Sequence, residues 1–107
     1  MEVYNLVKMG LDAATLRANT ISQNIANLNT PGYKSKYVSF EETLKENSKT
    51  GPKITVEESK ASSMRSDGNN VDLEVEKVNQ ASNSLQYNAL ITIMNAKLAT
   101  AKSVISG

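Results

Sequence analysis

Asn24-Ile25-Ala26-Asn27-Leu28-Asn29-Thr30-Pro31-Gly32-Tyr33-Lys34 completes a regular apolar row and stops it at Thr30-Pro31-Gly32. Upstream, Tyr4, Val7, Leu11, Ala14, Ala18, Ile21, Ile25 and Leu28 alternate spacings of three and four, while Asp12, Arg17, Asn19 and Gln23 fall outside the row. That is a coiled-coil seam on a helix. Ala14 and Ala18 are small and allow a partner helix to come close. A helix from about Glu2 to Leu28 would be roughly 40 Å long at 1.5 Å per residue. Its end is written into the same stretch. The proline displaces Thr30 from the α region, and Pro31-Gly32 suits the two central positions of a type II turn. Asn27 and Asn29 can take the left-handed conformation at a helix C-terminus, or bond back to the last carbonyls through their amides.

Beyond Tyr33 the period is lost and Ser, Thr, Lys, Glu and Gly dominate as far as Asp67. Ser39 and Glu42 have the form of a capping box, with Phe40 and Leu44 four residues apart, so a helical turn or two is expected over Phe40 to Glu46. Gly51-Pro52 signals a turn, and Ile54-Thr55-Val56 suits a brief strand. Asp67-Gly68 reads as a further turn. After it, Asn70 or Asp72 can cap a second helix whose first turn carries Glu74 and Glu76 against the positive end of the dipole.

The second helix has two offset apolar stripes. The early one runs through Val71, Val75, Val78, Ala81 or Ser82, and Leu85. The later one runs through Tyr87, Ile91, Met94, Leu98, Ala101 and Ile105, with Ala89, Leu90, Ile93, Ala96, Ala99 and Val104 outside it. A single neighbouring helix cannot cover so wide a surface, and each large aliphatic side chain removed from water contributes on the order of 1.5 to 3 kcal/mol. The expected fold class is therefore mainly α: two long terminal helices in an antiparallel coiled-coil hairpin, with the outer apolar face completed by other chains. A short irregular middle has room for one helical turn and a brief β segment. The expected divisions are an N-terminal helix over 1–29, a turn and irregular middle over 30–69, and a C-terminal helix over 70–107, all within one structural domain.

Composition narrows the chemistry. The chain has 107 residues, 39% of them apolar, with four Tyr and one Phe as its aromatics. That is thin material for a self-sufficient core. A net charge of +1, with Lys and Glu interspersed, supplies no field to gather nucleic acid. No His and no Cys are present, which removes the usual general base, the thiolate nucleophile, common metal ligands and any disulfide. Asp67-Gly68-Asn69-Asn70-Val71-Asp72 lacks the sixth-position Gly and twelfth-position Glu of a calcium loop, so no metal site is expected. The carboxylate pairs Glu41-Glu42, Glu57-Glu58 and Glu74 with Glu76 read as solvated surface. The glycines at 10, 32, 51, 68 and 107 are too scattered to form a phosphate loop.

Tyr33, Tyr37 and Phe40 beside Lys34 and Lys36 read as anchors of the returning chain, with the lysines in water, rather than as a stacking platform for single strands. The N-terminus lacks the basic start and apolar run of a secretory signal. The stretch Ala89 to Leu98 is interrupted by Thr92, Asn95 and Lys97 and falls short of the ~20 residues of a membrane span. The composition therefore points away from an enzyme, a cofactor protein, a nucleic-acid binder or an integral membrane protein.

With these residues laid out, the chain resembles the flagellar basal-body rod and hook family of axial proteins. Ile21 to Lys34 is similar to the family's N-terminal signature, an Asn-Ile-Ala-Asn core followed by Thr-Pro-Gly and an aromatic. Asp67 to Asp72 with Glu76, then Asn83-Ser84-Leu85-Gln86-Tyr87, resembles the C-terminal pattern of the proximal-rod members. The resemblance implies a non-catalytic, cofactor-free rod subunit, exported unfolded through the flagellar type III apparatus and located in the basal body, in the periplasm or cell-wall space. The partners it implies are other copies of the chain, other rod and basal-body adaptor proteins, and the export apparatus, without nucleic acid or membrane insertion.

It also implies that the terminal helices pack as a coiled coil in the innermost layer of a tube. The expected assembly seam is Tyr4, Val7, Leu11, Ala14, Ala18, Ile21, Ile25 and Leu28 with Leu85, Tyr87, Ile91, Met94, Leu98, Ala101 and Ile105. The family motif Asn24, Ile25, Ala26, Asn27, Thr30, Pro31, Gly32 and Tyr33 would end the helix and turn the chain outward. A generic helical-hairpin adaptor shares the seam but has no need of that motif.

Overall fold

The structure, a computed structural model, describes residues 3–41, 53–63 and 65–106. An uninterrupted run of helix-compatible residues forms α1, Val3–Ala26, about 36 Å long at 1.5 Å per residue. Its last regular bond runs from Asn27 N to Gln23 O at 3.0 Å, and the chain then tightens, with Leu28 N donating to Ile25 O at 3.1 Å. The sequence placed the stop correctly. Thr30 O accepts from Tyr33 N at 3.2 Å across Pro31-Gly32, and Gly32 has φ +75°, the value the third residue of a type II turn requires. The left-handed conformation expected of Asn27 or Asn29 is not used: among the described residues only glycines have positive φ. Asn27 instead takes the other route, its Nδ2 donating to Gln23 O at 2.8 Å.

Strands β1, Lys36–Glu41, and β2, Lys53–Glu58, form a two-stranded antiparallel sheet. Val38 faces Val56 and Phe40 faces Ile54, with Lys36 opposite Glu58 and Glu41 opposite Lys53. The aromatic and β-branched residues favour the pleat, and Lys36 and Glu58 put opposite charges in register at one end of the ladder. The strand expected at Ile54 to Val56 is thus present. Phe40 and Glu41 belong to β1 rather than to a helical turn, because an isolated turn is marginal whereas Phe40 gains a cross-strand partner. The rest of that expected turn, 42–46, lies outside the described residues, as does the Gly51-Pro52 turn.

Helix α2, Leu73–Ser106, is about 51 Å long at 1.5 Å per residue. Asp72 caps it, its Oδ1 accepting from Glu74 N at 3.0 Å and Val75 N at 3.4 Å. The two helices run antiparallel: Asn24 meets Glu76, Ala14 meets Asn83, Gly10 meets Leu90, and Tyr4 lies by Leu98. At the crossing with Leu90, a Cβ on Gly10 would stand 3.1 Å from Leu90 Cδ1, so the glycine sets how closely the helices approach.

The molecule measures 64 × 33 × 14 Å. Its least dimension is little more than one helix diameter, so the hairpin has no second layer upon it. Among the described residues, the buried apolar ones are correspondingly few: Val7, Ala13, Ala14, Ile21, Val38 and Val71.

Candidate functional site

At the closed end of the hairpin the two motif segments interlock through asparagine side chains. Asn24, on the last turns of α1, is 1% exposed. Its Nδ2 donates to Lys36 O at 2.8 Å and to Glu76 Oε1 at 3.2 Å, while its Oδ1 accepts from Lys36 N at 2.9 Å and from the Tyr33 hydroxyl at 3.1 Å. A primary amide has two donors and two acceptor sites, and all four are used. One side chain thereby fixes α1 to β1, to the turn and to α2.

Asn69 is 0% exposed and caps α1 from a distant segment. Its Nδ2 lies within bonding distance of the carbonyls of Asn27 (2.9 Å), Leu28 (3.1 Å) and Thr30 (2.8 Å), which follow the last turn of the helix. Arg65 donates to Leu28 O as well and pairs with Asp67 at 3.2 Å. Asn70 Oδ1 accepts from Ser35 N at 2.6 Å, and its Nδ2 reaches Ser59 O and Ala61 O at 3.3 and 3.1 Å. Gly32 N donates to Asp67 O at 2.8 Å, and the Lys34 ammonium donates to Gly68 O. Lys34 is therefore not in water as the sequence suggested, whereas Lys36 is exposed.

Glu76 departs from the sequence expectation too. It was expected at the solvated surface with Glu74, but it is buried, with Oε2 lacking any partner among the described residues. Burial pushes its pKa up, Asn24's N–H opposes that rise, and the charge of Asp72 adds to it. Tyr33 is also shifted upward, first by burial and then by the negative charges of Glu76 and Glu58. Nothing in residues 70–76 announces that Glu76 is buried, because the group that draws it in, Asn24, lies 52 residues away.

Of the seam residues expected on α1, Val7, Ala14 and Ile21 are buried, Leu11, Ile25 and Leu28 are half-buried, and Tyr4 and Ala18 are exposed. On α2, Ile91 and Met94 are half-buried, while Leu85, Tyr87, Leu98, Ala101 and Ile105 are exposed. The face α2 turns to α1 is largely polar near the closed end: Asn83 Nδ2 donates to Ala14 O at 2.9 Å, and Arg17 bonds Asn83 and Gln86. Beyond the buried Val71, the early apolar stripe is not covered by α1, with Val78 67% and Leu85 72% exposed. In the family motif, Asn24 is buried, Ile25, Asn27 and Tyr33 are half-buried, and Ala26, Thr30, Pro31 and Gly32 lie at the surface. No group of His, Cys, Asp or Glu among the described residues could hold a metal, and no described helix is long and apolar enough to cross a membrane.

A thin helical hairpin, locked at one end by side-chain amides and carrying large apolar side chains exposed along α2, has the form of a structural building block. Comparison with known proteins gives its family. The family model described as "Flagella basal body rod protein" matches residues 9–34, the α1 motif and its turn. The chain is 33% identical to the flagellar basal body rod protein FlgB of Bacillus subtilis (strain 168), over 91% of this chain and 88% of that one. It is 25% identical to FlgB of Aeromonas hydrophila, over 99% and 94% of the two chains, and 27% identical to FlgB of Buchnera aphidicola subsp. Baizongia pistaciae, over 97% and 94%. The chain belongs to the flagellar basal-body rod protein family, which is a family of structural proteins and not of enzymes.

Proposed function

We propose that this chain builds the proximal part of the rod by coiled-coil packing of its hairpin against other copies and other rod components. The observation that carries this is the early apolar stripe of α2, which α1 does not cover: Val75, Val78 and Leu85 are all exposed. Farther along, Leu98, Val104 and Ile105 are exposed as well. A pair of helices one layer thick leaves much apolar surface bare along α2, and covering it with neighbouring hairpins is the economical way to remove that surface from water. Asn24 is fully engaged within the chain. Its contribution to assembly is to hold the hairpin and the outward turn in place.

The same reading takes the chain to the basal body through the flagellar type III apparatus, to the periplasm or cell-wall space, in contact with basal-body adaptor proteins. The names of the relatives support the rod; the route and the neighbours are inferred. The test replaces Leu98 or Ile25 with Asp in a swimming strain. A charge in the packed seam costs several kcal/mol unless it is neutralised. Expression and export should persist while rod growth and motility are lost, and motility retained by either variant would contradict the seam.

A further inference from the structure

A cleft of about 300 Å³ opens between α1, β1 and α2. Arg17 and Lys36 stand on its walls with Asn79, Asn83 and Gln86. Arg17 is half-buried, and both of its bonds run through Nη1, to Asn83 Oδ1 at 3.4 Å and Gln86 Oε1 at 3.3 Å. Both acceptors are neutral and both bonds are long. A guanidinium has five N–H donors in a planar fork suited to a carboxylate, so most of the fork is left uncommitted. Among the described residues, no carboxylate lies within ion-pair distance of Arg17 or Lys36. The chain's other arginine, Arg65, shows the contrast: it holds both a carbonyl and the Asp67 carboxylate within its own chain.

The cleft does contain one acidic residue, Glu76, but it cannot serve Arg17. Its Oε1 accepts from Asn24 and its Oε2 is buried, turned away from solvent. Among the described residues, the accessible walls thus carry cations and side-chain amides, and Glu76 is the one carboxylate that lines the cleft.

We propose that this cleft receives an acidic side chain, Asp or Glu, from a neighbouring subunit of the rod, its carboxylate taking the free edge of the Arg17 fork with Lys36 alongside. The inference rests on the chain being a rod subunit. It adds the chemistry of one contact and gives the neighbour a fixed register on the hairpin, since a fork and a carboxylate pair in a defined geometry.

The experiment introduces Arg17→Glu, Arg17→Met and Arg17→Lys into a swimming strain whose own copy is replaced, beside a strain lacking the gene. Thermal unfolding of each purified chain monitors the hairpin itself. Arg17→Glu should abolish swarming, Arg17→Met should reduce it at least several-fold, and Arg17→Lys, which keeps the charge but loses the fork, should fall between. Motile revertants of Arg17→Glu should include second-site changes of an Asp or Glu to Lys or Arg in a rod protein.

Full swarming by Arg17→Glu or Arg17→Met would overturn the proposal. So would revertants confined to codon 17 and to the Asn83 and Gln86 contacts, since those would mark a role within the chain. Swarming by the strain lacking the gene would instead remove the rod reading itself, so the two failures are distinguishable.

Discussion

Asn83 donates its side-chain amide to the main-chain carbonyl of Ala14 at 2.9 Å, joining α2 to the middle of α1 where both residues are buried. The contact is polar where a coiled-coil seam would be apolar. Asn83→Ala should lower unfolding stability by about 1–3 kcal/mol, because a buried carbonyl loses a donor and Arg17 an acceptor. Ala14→Leu should cost about 1–3 kcal/mol by overpacking the same crossing. The two share one contact, so the double variant should cost less than the sum, read as non-additivity in a denaturant-unfolding cycle.

Asn24 is the most connected side chain of the interlock. Asn24→Ala strands a main-chain N–H and C=O of Lys36, the Tyr33 hydroxyl and Glu76 Oε1 at once. With each buried group left unsatisfied costing about 1–3 kcal/mol, the loss should exceed that of any single exposed polar substitution by several-fold. Thermal melts should show it as a drop of the whole helical transition, and Asn69→Ala should do the same by uncapping α1.

Glu76 predicts the direction of a pH dependence. Its pKa in the folded chain lies above its ordinary value of 4.5, so the folded state binds more protons than the unfolded one between the two values. Its stabilising contribution is fully present below the unfolded value and is lost as pH rises through the folded one. Unfolding free energy measured from pH 4 upward should fall across that window in the parent relative to Glu76→Gln, which cannot titrate. Parallel curves would contradict the burial of an ionisable Glu76.

Gly32 isolates a backbone effect. Nothing lies within 4 Å of where its Cβ would be, yet its φ is +75°. Gly32→Ala should therefore cost about 1–2 kcal/mol through conformation alone. Gly32→Asn, whose side chain tolerates the left-handed region, should recover part of that loss in the same unfolding assay.

Several features follow from local chemistry and were legible in the chain. The stop at Thr30-Pro31-Gly32 is set by proline sterics and a glycine φ, both properties of adjacent residues. Asp72 caps α2 because its own side chain reaches the next N–H groups, and Ile54-Thr55-Val56 is extended because its side chains suit a pleat. The helical turn expected from Phe40 does not begin there for the complementary reason: a capping box is a local signal, and the ladder to Ile54 outweighed it.

The sequence was therefore sufficient for the hairpin of two long helices, the turn between motif and sheet, and the family to which the chain belongs. It could not say which side of each helix would meet the other. Asn24, Asn69, Glu76 and Asn83 occupy the junction although none is apolar, and Val78 and Leu85 stand outside it although both are. Periodicity registers the free energy of an apolar stripe leaving water, wherever that stripe is finally covered. The facing surfaces were set instead by hydrogen bonds between groups 39 to 69 residues apart, and such pairings exist only once the chain has folded back on itself.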